Sequence, residues 1–202
     1  AVFNATGPGE WNEQWTPDQV RKKLFEDSAH EAERSFIAMW RKDGILAGAD
    51  IICVTPVADA VSERDLPPSL QDAETLAAVR SHLEWVAGPA AVIAMFRELG
   101  IRKEHRKGLE PIFGMTQSVM RAGLDAGATF GCFWTSKDSN LFPIMIGYGV
   151  EVLYDFADPK GHVFMGDHLE HSFRRFSAPA PVAARMIAER CALRGIRTTR
   201  GK

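Results

Sequence analysis

Residues 128–165 read "ATFGCFWTSKDSNLFPIMIGYGVEVLYDFADPKGHVFM" and are rich in aromatic and β-branched residues. Such residues favour strands, and the polar segments SKDSN and ADPKG are typical of turns. We therefore predict a β-hairpin or small antiparallel sheet with strands at 128–135, 144–154 and 161–165. The apolar residues on both faces of the middle strand indicate that it is covered on both sides.

The residues before this stretch favour helices. Residues 16–44 carry an apolar stripe at helical spacing, between a Thr-Pro start and a glycine stop. Residues 69–88 and 89–100 have the start and stop signals of two further helices. Only 51–55, which are mostly β-branched, indicate a short strand. The predicted fold class is therefore α+β, with a helix-rich N-terminal half and a small antiparallel sheet in the C-terminal half.

Proline and glycine positions complete the predicted organisation. Helices are expected from Pro111, from Asp167 as a cap, and between Pro181 and Gly195. The predicted segments are an extended N-terminal arm (1–15), a single α+β domain (16–196) and a basic C-terminal tail (197–202).

Composition limits the class of protein. The 202 residues carry a formal net charge of −2. The cysteines Cys53, Cys132 and Cys191 are far apart and form no C-x-x-C pair, which favours reduced thiols in a cytoplasmic protein. No apolar run reaches the ~18 residues of a membrane-spanning helix, so we expect no membrane partner. No phosphate-loop, dinucleotide-binding or nucleophile-elbow pattern occurs, so nucleotide and α/β-hydrolase functions have no support.

Residues 161–171, GHVFMGDHLEH, concentrate imidazoles and carboxylates at the start of a predicted helix. Two imidazoles three residues apart share a helix face, and a third from the preceding strand could complete a zinc or iron site. The carboxylates could act as acid–base groups or orient the ligands. The alternative is a polar cluster that satisfies free N–H groups at an exposed helix start. The predicted metal ligands are His162, His168 and His171, and the predicted catalytic groups are Glu170 and Asp167.

Charge is distributed unevenly along the chain. From Ser172 to Lys202 there are eight cationic residues and one acidic residue, Glu189. Such a segment could dock on an acidic protein surface or contact nucleic acid. The arm carries Trp11 and Trp15, which are expected to pack on the domain or on a partner.

Three functions remain open from the sequence. The first is a small soluble enzyme with a histidine-cluster site, metal or acid–base, acting on a small molecule. The second is an interaction or assembly protein, self-associating or binding a protein partner through the Trp-containing arm and the Arg-rich segment. The third is a nucleic-acid-associated protein that uses the same basic segment.

Overall fold

A computed structural model describes residues 18, 34–62, 65–105 and 110–196. The described strands are β1 (Arg34–Lys42), β2 (Ile45–Pro56), β3 (Val92–Ile101), β4 (Phe130–Ser136), β5 (Glu151–Asp155) and β6 (His162–His168). They form one sheet in the order β1-β2-β3-β4-β6-β5. The pair β3–β4 is parallel, and the other four pairs are antiparallel. The sheet is therefore mixed, with its parallel pair at the centre.

Helices cover both faces of this sheet. The described helices are α1 (Ala73–Ala87), α2 (Glu110–Asp125), α3 (Leu141–Tyr148), α4 (Leu169–Phe176) and α5 (Ala180–Leu193). On one face, α1 packs on Ile93, Met95 and Cys132 in an apolar cluster. On the other face, α2 to α5 share a larger cluster with Ile52 and Ala94. We call these two sides of the sheet the α1 face and the α2 face.

The predicted fold class was wrong, because the sheet is central and half of its described strands lie in the N-terminal half. Residues 89–100 were expected in a helix, but Val92–Ile101 form β3 at the middle of the sheet. A short apolar run bounded by proline and glycine is compatible with a buried helix and with a strand covered on both faces. Residues 34–42 were also expected in a helix and form β1.

Local turn geometry explains the second of these errors. Asp43 and Gly44 both have positive φ, 52° and 79°, and form the two-residue turn between β1 and β2. An Asp-Gly pair in this conformation matches the twist of antiparallel strands and therefore selects a hairpin. The rest of the predicted helix 16–44 lies outside the described residues, except Asp18, which is helical.

The C-terminal half was predicted more accurately. The strands at 128–135 and 161–165 correspond to β4 and β6, whereas the strand at 144–154 is wrong over its first half, which is helix α3. Gly149, with φ of 83°, ends α3 and allows β5 to begin. The predicted arm (1–15) and tail (197–202) lie outside the described residues. None of the described helices is long and apolar enough to cross a membrane.

Candidate functional site: a cleft between parallel strands

The parallel strands β3 and β4 are paired over a short distance only. The register pairs are Ile93↔Phe130, Ala94↔Gly131 and Met95↔Cys132. Beyond Met95, β3 continues to Ile101, and beyond Cys132, β4 continues to Ser136, with no further β3–β4 register pair among the described residues. The carboxyl-terminal halves of the two strands therefore diverge and leave a wedge-shaped gap, which we call the cleft. Ligands of open sheets that contain parallel strands commonly bind at such a point.

A β-bulge in β3 explains why the strands diverge. The pairing of β2 with β3 passes from Ile52↔Phe96 to Ile51↔Glu98, so Arg97 is an extra residue on β3. A bulge bends and twists its strand, and this one lies directly after the last pair with β4. The side chain of Arg97 is anchored on the buried carboxylate of Asp65, with Nε 2.7 Å from Oδ1.

Aromatic side chains surround the narrow end of the cleft on the α2 face. Phe96 and Phe133 are half-buried and pack against the larger cluster. A Cβ atom on Gly131 would lie 3.2 Å from the ring of Phe96. The absence of a side chain at position 131 therefore lets this ring lie close to β4. The walls of the cleft are apolar at this depth.

A buried carboxyl lies one strand away from the cleft, beneath α2. Asp50 of β2 is paired in register with Leu99 of β3 and is 1% exposed. The hydroxyl of Thr116 in α2 donates to its Oδ2 at 3.0 Å, and its Oδ1 has no hydrogen-bond partner among the described residues. Desolvation by burial raises the pKa of Asp50 from 3.8 to about 7, although the Thr116 hydroxyl and the Ile51 backbone N–H act in the opposite direction. This carboxyl therefore titrates near neutral pH.

Tyr148, the last residue of α3, lies on the same face of the sheet. Its ring stacks on Phe176 at 4.2 Å between centroids and meets the edge of Phe113 in α2 at 5.2 Å. Its hydroxyl is buried and has no hydrogen-bond partner in the described part of the chain. Burial raises the pKa of Tyr148 to about 12, so the phenol keeps its proton at neutral pH.

The connection from β3 to α2 is basic. Residues 102–107 read RKEHRK, of which 106 and 107 lie outside the described residues. The Nε of Arg102 is buried and has no hydrogen-bond partner among the described residues, and its Nη1 lies 3.8 Å from Glu104. The first N–H groups of an α-helix carry partial positive charge. The carboxyl end of β3 is therefore followed by the cationic Arg102 and, further along the chain, by a 16-residue helix.

A histidine–aspartate pair lies at the carboxyl end of β4. His162, the first residue of β6, is paired in register with Ser136, the last residue of β4. Its Nδ1 lies 2.8 Å from Oδ2 of Asp158, and its backbone N–H donates to Oδ1 of the same carboxylate at 2.7 Å. Its ring meets the edge of Trp134 at 5.5 Å between centroids. We call His162 and Asp158 the dyad.

The predicted three-histidine site is not assembled in the described part of the chain. His162 and His168 are the two ends of β6, and six steps of ~3.3 Å separate them by about 20 Å. His168 and His171 are exposed neighbours, with ring centroids 5.4 Å apart. No group of three or more His, Cys, Asp or Glu side chains among the described residues could hold a metal ion.

The two predicted catalytic carboxylates are engaged in ion pairs. Asp167 accepts from Arg175 at 2.8 Å, from Ser172 at 3.0 Å and from the N–H of His168 at 2.8 Å. Arg175 also donates to the backbone carbonyl of Tyr148 at the end of α3, so this network connects α3, β6 and α4. A catalytic role for Asp167 remains a prediction.

Glu170 accepts from Arg174 at 2.5 Å and lies in a surface hollow of about 390 Å³ between α2 and α4. The other charged residues of this hollow, Arg121 and Asp125, approach each other at 3.9 Å. Because the charges in the hollow are matched, it offers no net charge to an ionic ligand. A catalytic role for Glu170 also remains a prediction.

Sequence reasoning missed Asp50, Arg97, Arg102 and Asp158. Asp50 had a signal, because it is a carboxylate inside an apolar run, where a charge must be paired or shift its pKa. Asp158 was read only as part of a turn. The bulge at Arg97 depends on strand pairing, which no local pattern reveals.

No protein-family model matches the chain, and no curated protein matches it at a significant level. Several solved structures are similar to it at low identity. FeeM, an N-acyl amino acid synthase from uncultured soil microbes, has a TM-score of 0.47 and 9% identity, over 70% of this chain and 76% of that chain. MesI, a CoA-dependent acyl-homoserine lactone synthase, has a TM-score of 0.43 and 12% identity, over 75% and 72%.

BjaI, a second CoA-dependent acyl-homoserine lactone synthase, here with MTA, has a TM-score of 0.45 and 14% identity, over 83% and 84%. At TM-scores below 0.5, these likenesses give no information on what this chain does. Its function has to be inferred from its own residues.

Proposed function

We propose that the chain is a small enzyme that transfers an acyl group from a coenzyme A thioester to the amine of a small molecule. The observation that carries this inference is the divergence of β3 and β4 after Met95 and Cys132. The proposal retains the expectation of an enzyme that acts on a small molecule. It replaces the predicted metal site with the cleft.

The cleft fits an extended chain that contains amides. Phe96 and Leu99 of β3, and Phe133 and Thr135 of β4, lie beyond the last pair between these strands. An extended ligand can add to a sheet through main-chain hydrogen bonds, as peptides do. The pantetheine arm of coenzyme A is extended and has two amide groups, and it is narrow enough to pass between two strands.

The basic connection between β3 and α2 fits the phosphate-bearing end of coenzyme A. Phosphate groups bind at helix N-termini and beside Arg and Lys side chains. Arg102 ends the β3 side of the cleft with a buried Nε that has no partner among the described residues. With the pantetheine amides of coenzyme A between the strands, the pyrophosphate of coenzyme A would lie near Arg102 and the start of α2. The thioester would then lie deeper in the cleft.

Binding and turnover by the purified full chain test this proposal. We expect calorimetry to detect coenzyme A binding, and free-thiol release from acyl-coenzyme A to depend on an added amine such as a free amino acid. Arg102→Ala removes a charge-assisted contact of ~1.5–3 kcal/mol and should weaken coenzyme A binding at least ~10-fold. The matched control is Arg185→Ala, since Arg185 is exposed on α5 and pairs with Glu189. Equal affinity of both variants and the wild type would contradict the assignment of Arg102.

The structure gives less support to the nucleic-acid function. In the basic segment, Arg174, Arg175 and Arg185 pair with carboxylates of their own chain. These pairs reduce the positive charge that nucleic acid would meet. Self-association remains a prediction, and light scattering after size exclusion gives the mass that decides it.

A further inference from the structure

The dyad is positioned on the side of the sheet opposite α2. His162 contacts Trp134, which belongs to the apolar cluster of the α1 face. Trp134 lies in β4 beyond the last pair with β3. His162 is 7% exposed, and its imidazole lies beside Trp134 at the carboxyl end of β4, on the strand next to the cleft. Coenzyme A bound at the start of α2 and an acceptor amine beside His162 would approach the cleft from opposite faces of the sheet.

Hydrogen bonding selects the tautomer of the imidazole. Asp158 accepts from the backbone N–H of His162 at 2.7 Å and from the N–H of Lys160 at 3.3 Å. Although partial burial opposes it, these bonds and the imidazole lower the pKa of Asp158, so it is a carboxylate at neutral pH. A carboxylate at 2.8 Å makes Nδ1 the protonated nitrogen of neutral His162. Nε2 then has a free lone pair, and among the described residues it has no hydrogen-bond partner.

The turn that carries the dyad is held in one conformation. Asp155 accepts from the N–H of Ala157 at 3.1 Å, and the carbonyl of Gly161 accepts from the N–H of Lys137 at 2.9 Å. Side-chain ion pairing between Lys137 and Asp155 closes the turn against β5. Among the described residues, the charged groups beside His162 are thus Asp158 at Nδ1 and the Lys137–Asp155 pair. A fixed imidazole is what proton transfer requires, because its lone pair must have a constant direction.

We propose that His162, oriented by Asp158, is the base that accepts the proton of the acceptor amine. The inference rests on the acyl transfer proposed above. The amine nitrogen attacks the thioester carbonyl carbon, a C–N bond forms, and one N–H proton moves to Nε2 of His162. The C–S bond then breaks, the electron pair leaves with sulfur as coenzyme A thiolate, and the proton on Nε2 passes to that thiolate. The products are the amide and free coenzyme A, and His162 regains its starting state.

Three substitutions test the dyad. Asp158→Asn keeps the size of the side chain and removes its charge, and His162→Gln keeps a polar side chain without a base. General-base catalysis contributes ~10²–10⁴-fold, so we expect each variant to lower kcat about 100-fold or more. The KM for acyl-coenzyme A should change less than about threefold. His168→Gln, an exposed histidine at the other end of β6, is the control and should keep wild-type kcat.

The pH profile separates catalysis from turn stabilisation. In the wild type, kcat should fall on the acid side, and this limb should be absent in the residual activity of His162→Gln. A kcat for both dyad variants within threefold of the wild type would overturn the role of the dyad while leaving the acyl transfer intact. A wild type that binds no coenzyme A and releases no thiol would overturn both.

Discussion

Replacing Asp50 with asparagine should remove a pH-dependent loss of stability. Burial raises the pKa of Asp50 from 3.8 to about 7 in the folded chain, whereas the unfolded chain keeps the ordinary value. Between these two pH values the folded state keeps a proton that the unfolded state releases, so stability falls as pH rises. At 1.36 kcal/mol per unit, the loss reaches about 4 kcal/mol above pH 7. Asparagine does not titrate and should escape this loss.

Chemical denaturation measures the effect directly. Urea unfolding of the wild type and Asp50→Asn at pH 4 to 8 gives the difference in their free energy of unfolding at each pH. We expect this difference to move in favour of the variant by about 4 kcal/mol across the range. The new amide N–H has no acceptor there, and the free energy that this costs should be the same at every pH.

Two further variants serve as controls for this prediction. Thr116→Val removes the hydroxyl that lowers the pKa of Asp50, so its stability should fall further at high pH than that of the wild type. Asp125→Asn changes an exposed carboxylate on the same helix and should leave the pH dependence unchanged. A pH-independent difference between the wild type and Asp50→Asn would refute the raised pKa.

Three other substitutions test side-chain packing in the fold, and urea unfolding measures each of them. Tyr148→Phe removes a buried hydroxyl without a described partner, so stability should stay within ~1 kcal/mol of the wild type or rise; a clear loss would reveal a partner. Asp65→Ala removes the carboxylate that faces the largely buried guanidinium of Arg97, and a loss of ~3 kcal/mol or more is expected. Gly147→Ala would bring Cβ to 2.6 Å from the backbone of Ile187, and a loss of ~1–3 kcal/mol is expected as α3 and α5 separate. Wild-type stability in either of the last two variants would contradict the contact concerned.

The sequence predicted the elements whose local signals agree. Helix α1 was expected over 69–88; it ends before Gly88 as expected, but it begins at Ala73, after the capping Asp72, whose side chain accepts from the N–H of Thr75. Strand β4 is recognisable from its aromatic and β-branched residues. Strand β3 was missed because its apolar run has no periodicity of its own, and its pairing with β2 outweighs the helix signals of Pro89 and Gly100.

The candidate site was largely beyond the sequence. The sequence singled out His162 as a metal ligand, but its ring nitrogen contacts Asp158 in the preceding turn and not His168, because β6 is extended and separates the two imidazoles. The cleft depends on a bulge, and a bulge depends on which strand lies beside β3. Register of this kind is a tertiary property, so composition and periodicity do not contain it.

Backbone amide NMR of the ¹⁵N-labelled full chain during a titration with coenzyme A locates the binding site without reference to turnover. The cleft predicts that the largest shift changes occur beyond Met95 in β3, beyond Cys132 in β4, and in the turn Lys103–His105 that leads to α2. Amides on the solvent side of α1 and α5 should be unaffected. A saturating titration that changes no amide of β3 or β4, or one whose changes concentrate on α5, would contradict a carrier site between the parallel strands.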